Sequence, residues 1–318
     1  MKDKDVKQQD SQDIYRRQAQ QLDALGLHVE NLDECAKFLS QVSYYRLSAY
    51  YRYWLKDPAD QNSGFMAGST FTEIKDLYQA EEQLKHVCTQ ALRPLEITLR
   101  ARFANSYAQL VGPRDTFLHG EGLTPPPDAT GQPQFAALRN LNRSKEAAIQ
   151  HFQDGEKENG EYPAEAYAEL PIWVAVEAFS FGTLSKHIAA SKASGVLDDV
   201  AGSLNTSPRA LPSQIKSFVY LRNRISHCAR IWNHPVADMP RISRSTARRA
   251  SRQFRPFSDH SIYRILVALD AITYHAGITE NWLEKQVEPI LERQPILAAG
   301  ISQPQRAGVG NPRHLLDS

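Results

Sequence analysis

The sequence predicts an all-α fold, and three observations carry that expectation. Apolar residues recur at three- and four-residue spacing along most of the chain, as in Leu77, Leu84, Leu92, Leu95, Leu99 and Phe103. Helix-start chemistry stands ahead of such runs, with Asn31 and Thr70 in N-cap positions. Period-two alternation bounded by turn residues is scarce, and no internal repeat is present. With 318 residues, the chain is long enough for a sizeable core in one large or two modest domains.

The elements follow in order. Residues 1–12 are polar and read as a disordered N-terminus. From about Asp13, Ile14, Ala19, Leu22 and Leu25 trace a helix that Gly26 stops. A second helix starts at Asn31 and carries Leu32, Cys35, Ala36, Phe38 and Leu39. The aromatic stretch Ser43 to Trp54 follows, then a loop marked by Asp57-Pro58 and Asn62-Ser63-Gly64. Thr70-Phe71-Thr72-Glu73 fits a capping box and opens a long run to about Val111, which Pro94 should kink or divide. Residues 112–133, with Pro125-Pro126-Pro127, read as a loop, and 134–153 as a helix. The acidic stretch 154–169 reads as a solvated face. Pro171 opens the next helix, Gly182 punctuates it, and Thr183 to Ser191 resumes. Helices are expected near 195–203, 209–230, 258–276 and 280–293, with a basic loop at 241–255. Beyond Gln294 the Gly-, Pro- and Gln-rich tail reads as disordered. This divides the chain into an N-terminal helical region over 13–68 and a main helical domain over 69–293, between disordered ends at 1–12 and 294–318.

Composition narrows the function. A net charge of +1 makes the whole molecule no general polyanion binder, so nucleic-acid affinity must come from local basic patches. Cys35, Cys88 and Cys228 are scattered and odd in number, against a disulfide framework or a cysteine-rich zinc site. No carboxylate or His/Cys cluster has convincing ligand spacing, so no metal and no cofactor are expected. The N-terminus lacks the apolar stretch of a signal peptide, and no apolar run approaches a membrane span. A cytoplasmic protein is expected.

The segment from Leu221 to Asn233 is the most informative. Arg222, Asn223 and His227 are polar groups at the end of an otherwise apolar helix. Asn223 and His227 are four apart and share a face, which Arg230 extends. Arg222 lies five before His227, about 140° around the helix. Either the helix end is distorted or a second copy completes the pocket, and closed two-fold dimers are the commonest assembly. The parts suit metal-free RNA cleavage. His can take the proton of a ribose 2′-OH near neutral pH, Arg can hold the phosphate, and Asn can bond the phosphate or orient the imidazole. The bland reading is a chance R-x4-H whose basic residues favour the helix C-terminus.

Other residues could support such a site. Glu96 and Arg100, four apart, form either an ordinary surface pair or a brace beside the motif helix. Tyr44, Tyr45, Tyr50, Tyr51, Tyr53 and Trp54 suit packing better than base stacking, and Arg46 is the best substrate contact among them. Residues 241–255 hold six arginines and no acid, and Arg241, Arg244, Arg248 and Arg249 are further expected RNA contacts, with Arg230. Trp173 and Trp232 read as core anchors. His151, His187 and His275 need no special role.

Four segments in order resemble the Abi family, abortive-infection proteins of the AbiD/AbiF type. They are Ser43-Tyr44-Tyr45-Arg46-Leu47-Ser48-Ala49-Tyr50, then Thr70-Phe71 to Leu77-Tyr78 with Leu95 to Arg100. Leu170-Pro171-Ile172-Trp173 with Glu177 and Phe179 to Ser185 follows, then Arg222-Asn223 to His227 and Arg230 to Asn233. The likeness covers about residues 14–235. It implies a HEPN-like helical bundle with an N-terminal helical extension, whose R-x4-6-H motif is a ribonuclease site in active members, lined by two copies in a homodimer. Arg222 and His227 then carry over as catalytic, with Asn223 as polar partner. A second His often follows the catalytic one, where this chain has Cys228. An aromatic-acid pair is frequent where this chain has Ala80-Glu81. The implied role is RNA cleavage in phage defence, with an antitoxin partner, RNA or protein, left open. The competing reading is a non-catalytic RNA-binding or partner-binding module.

Overall fold

A computed structural model of the chain describes residues 2–127, 129 and 131–305, with residues 2–12 given by backbone alone. Among the described residues the fold is all-α, without strands. The helices are α1 (Lys2–Ala24), α2 (Leu32–Val42), α3 (Tyr44–Tyr51), α4 (Phe71–Leu110), α5 (Thr116–His119), α6 (Pro133–Arg143), α7 (Ala147–Gln150), α8 (Ile172–Ala178), α9 (Phe181–Ala190), α10 (Val196–Ser203), α11 (Leu211–Ser226), α12 (Arg244–Gln253), α13 (Ile262–His275), α14 (Glu288–Arg293) and α15 (Pro295–Ser302).

α4 is the axis of the fold. Its 40 residues span about 60 Å, and α3, α8, α9, α10, α11, α13, α14 and α15 all pack on it. Thr70 Oγ1 caps it by accepting from the Glu73 N–H at 3.2 Å. The helix runs unbroken through Pro94 rather than dividing there. Pro94 removes the donor that the Gln90 carbonyl would use, and both residues are exposed, so water can satisfy that carbonyl. The buried stripe Ile74, Leu77, Leu84, Cys88, Leu92, Leu95, Leu99 and Phe103 faces a single apolar core. That core runs from Ala19 to Ile301 and crosses the boundary expected at residue 68.

Several expectations need correction. α1 begins at Lys2 rather than near Asp13. The polar stretch before Asp13 contains no Gly or Pro and is rich in Lys and Gln, which favour helix. The basic segment 241–255 is not a loop but carries α12, started by Ser243 Oγ accepting from the Thr246 N–H at 3.0 Å. The tail beyond Gln294 continues as α15, whose Ile296, Leu297 and Ile301 are buried. Residues 306–318 lie outside the described residues. The run 134–153 is split into α6 and α7, and 280–293 is π-wound over Leu283–Val287 before α14. α8 and α9 part at Phe179, with Ser180 capping α9, rather than at Gly182. Trp173 is 54% exposed, because α8 turns Ile172, Ala175 and Val176 inward instead; Trp232 is fully buried as expected. The acidic residues of 154–169 are exposed.

Candidate functional site

The motif occupies the last turns of α11, which ends at Ser226 rather than at residue 230. His227 is the C-cap and Cys228 takes φ 51. The Cys228 N–H donates to the Ile225 carbonyl at 2.9 Å, and the Ala229 N–H to the Arg224 carbonyl at 2.8 Å. These two bonds close a Schellman turn, which normally places Gly where Cys228 stands. The left-handed backbone stops the helix and leaves the His227 side chain exposed at its end. It also takes Arg230 off the helix, so Arg230 does not extend the face of Asn223 and His227. Asn223 is half-buried, and its carbonyl accepts from the His227 N–H at 2.9 Å.

Arg222 projects towards α4 and α9. Glu96 Oε2 lies 3.6 Å from Arg222 Nε, and Glu96 Oε1 accepts from Arg100 Nη2 at 2.5 Å. Arg100 also donates to the Val176 carbonyl at the end of α8. The Arg222 guanidinium stands over the Phe181 ring, 5.6 Å from its centroid. Glu96 therefore links Arg100 to Arg222 of the motif helix, and the Glu96 and Arg100 side chains are 19% and 12% exposed. Arg222 Nε is within ion-pair range yet buried and without a hydrogen bond. Attraction to Glu96 holds the group without a hydrogen bond from its Nε.

The turn after His227 is secured by Glu81, which the sequence marks only as the acid of the Ala80-Glu81 pair. Glu81 lies on the buried stripe of α4, fully enclosed. Its Oε1 accepts the backbone N–H groups of Ile231 and Trp232, the latter at 3.0 Å, and its Oε2 accepts the Tyr50 hydroxyl. Lys85 Nζ lies 3.7 Å from the same carboxylate. A buried charge is tolerable only when paired and hydrogen-bonded, and here both conditions hold. Burial, and next the Glu81 charge, push the Tyr50 phenol far above its ordinary range. The signal was present in the sequence: Leu77, Glu81, Leu84 and Cys88 follow helical core spacing, and one of them is an acid.

Further bonds close around the turn. Arg46 donates to the Cys228 carbonyl, Arg224 to the Arg230 carbonyl, and Arg230 to the Ala49 carbonyl. Arg230 also lies over Tyr53 and Trp232. The C-terminal helix completes the frame: Trp232 Nε1 donates to the Ile296 carbonyl at 2.8 Å, and the Asn233 N–H to the Gly300 carbonyl at 3.3 Å. A Cβ on Gly300 would come within 2.3 Å of the Trp232 indole nitrogen, so α15 approaches this closely only with glycine there. His234, stacked on Tyr220, is lowered from 6.5 to about 4 by burial and then by Arg224 and Arg230.

The structure thus brings Arg46, Glu96, Arg100 and Arg230 to the elements around Arg222, Asn223 and His227. It does not bring the basic segment there. The Arg241 N–H donates to Ser213 Oγ at 3.0 Å, on the first turn of α11. From Ser213 to His227 is about 20 Å along the helix. Arg244 and Arg248 are exposed on α12, and Arg249 lines a hollow with Asp270. Arg255 is paired with Glu288 at 2.5 Å. Of the tyrosine-rich stretch, Tyr50, Tyr51, Tyr53 and Trp54 are buried packing residues, whereas Tyr45 is 86% exposed. Among the described residues, no three His, Cys, Asp or Glu side chains converge as a metal-ion cluster. No helix among them is long and apolar enough to cross a membrane.

No curated protein and no solved structure matches the chain. The profile of the Abi-like protein family matches residues 37–233, from within α2 to the turn that follows the motif helix. That span is more than half of the chain and includes Arg46, Glu81, Glu96, Arg100, Arg222, Asn223 and His227. The chain therefore belongs to the Abi-like protein family.

Proposed function

We propose that the protein is a metal-independent endoribonuclease of the HEPN class, acting as a homodimer in abortive infection, the phage defence its family membership suggests. The observation that carries this reading is the pairing of functions at one helix end. Arg222 is held by Glu96 with its Nε unbonded, and His227 is exposed at the C-cap five residues later.

In the proposed reaction, His227 takes the proton of a ribose 2′-OH. The 2′-oxygen forms a new bond to the adjacent phosphorus, and the bond to the 5′-oxygen of the next nucleotide breaks. That oxygen takes a proton from solvent water as it leaves, and His227 returns its own to solvent, giving a 5′-hydroxyl and a 2′,3′-cyclic phosphate. Arg222 balances the negative charge that builds on the non-bridging oxygens, and Asn223 supplies a neutral hydrogen-bonding partner. Arg222 is turned towards α4 and α9 while His227 stands exposed at the C-cap, and in this reading a second copy completes each pocket. Ile97 and Trp173, more than half exposed on the helices that carry Glu96 and Val176, offer apolar contact surface to that copy.

The test is incubation of purified protein with single-stranded RNA in EDTA. Wild-type protein is expected to cut. His227→Ala is expected to lose about 10²–10⁴-fold in rate while keeping its dimer mass in sizing experiments. Full activity in His227→Ala overturns the assignment. RNA binding without cleavage by the wild type favours the non-catalytic module.

A further inference from the structure

A cleft of about 470 Å³ opens beside the motif turn, between α3 and the loop at Pro58, Ala59 and Gln61. Pockets for small ligands run from about 300 to 1,000 Å³. Its charged lining is Arg46, Arg52 and Arg230, with no carboxylate among the lining residues. Each of these arginines holds one backbone carbonyl: Arg46 that of Cys228, Arg52 that of Pro58 at 3.2 Å, and Arg230 that of Ala49. A guanidinium has five N–H donors, so each remains able to bond an anion while already fixed in place. Tyr45, also in the lining, is 86% exposed and offers a flat ring beside them. The Arg46 bond to Cys228 ties this cleft to the residue next to His227.

We propose that this cleft binds a nucleotide, with the base on Tyr45 and the phosphate between Arg46 and Arg52. The chemistry required is an aromatic base joined to a phosphate, which an RNA strand or a free nucleoside monophosphate can supply. In the RNA case the cleft grips a nucleotide flanking the one being cut, which deepens the ribonuclease reading and borrows from it only the ribonucleotide substrate. The charge and the aromatic ring act together: arginines alone would hold any anion, whereas stacking selects one that carries a base.

The experiment uses the full chain with His227→Ala, so that RNA survives the measurement. Its probes are UMP, followed by calorimetry, and a short fluorescein-labelled oligouridylate, followed by anisotropy. Tyr45→Ala and Arg52→Gln alter exposed side chains, so the thermal midpoint is expected to stay where it is. Each is expected to weaken binding about five- to tenfold. Weakening for the oligonucleotide alone assigns the cleft to the RNA strand, and weakening for UMP alone assigns it to a free nucleotide. Equal binding by parent and variants, or no binding of either probe by the parent, overturns the proposal. The ribonuclease reading fails on a different readout, the absence of cleavage by wild-type protein.

Discussion

Residues 222–233 and 241–255 are both basic and close in sequence, yet they are held in opposite ways. In the first stretch, Arg222, Arg224 and Arg230 each have a defined partner on Glu96, Arg230 and Ala49, and a buried carboxylate ties down the backbone that follows. In the second, Arg244, Arg248 and Arg252 are exposed on α12. Only Arg255 is committed to a near-buried carboxylate, that of Glu288. Placed charge is what proton transfer and phosphate orientation need. Diffuse charge gives long-range, salt-sensitive attraction. Under the proposed function, the motif end is the reaction site and α12 an approach surface.

The largest expected effect that would break this contrast lies at Glu81. Glu81→Ala removes the acceptor for the Ile231 and Trp232 N–H groups and for the Tyr50 hydroxyl, and leaves buried Lys85 with Glu82 as its one carboxylate partner among the described residues. A loss of about 3–5 kcal/mol is expected on chemical denaturation. A loss below about 1 kcal/mol, the scale of a single net hydrogen bond, would mean that the turn is not secured this way.

Acid should loosen the same region next. His234 titrates normally near 6.5 and is lowered to about 4, and buried His187 is lowered likewise. The unfolded chain takes up these protons below about 6.5, the folded chain only near 4. Their contribution to stability is therefore whole above pH 6.5 and is lost as pH falls towards 4. Thermal midpoints measured across that window should fall, and His234→Gln should flatten the slope by about half.

The smallest effect belongs to α12. Replacing Arg244 and Arg248 by Gln should leave stability within about 0.5 kcal/mol. The slope of log affinity for single-stranded RNA against log salt should shrink by about 0.7 for each arginine that meets a phosphate. Loss of cleavage at saturating RNA in that variant would place chemistry on α12 and end the contrast.

Much of this was legible in the sequence, and the gaps have physical causes. Helix starts at Asn31 and Thr70 were readable because capping is local chemistry within three residues. The motif was readable because its three polar residues interrupt an apolar period. The end of α11 was not, since nothing in its spacing signals a left-handed Cys228. The tail misled through its composition: Ile296, Leu297 and Ile301 bury against a partner remote in sequence, at a site only Gly300 lets them reach. The contact between Arg46 and the Cys228 carbonyl joins residues 182 positions apart, a proximity that local pattern does not encode.

The account rests on His227 and Arg222 directing a ribose 2′-OH at its own phosphate. The most direct measurement is the terminal chemistry of RNA fragments released by the wild-type protein in EDTA, read by mass spectrometry. Fragments ending in 2′,3′-cyclic phosphate, with 5′-hydroxyl partners and none from His227→Ala, are the predicted result. Fragments ending in 3′-hydroxyl, or formed only when a divalent metal is restored, would contradict it.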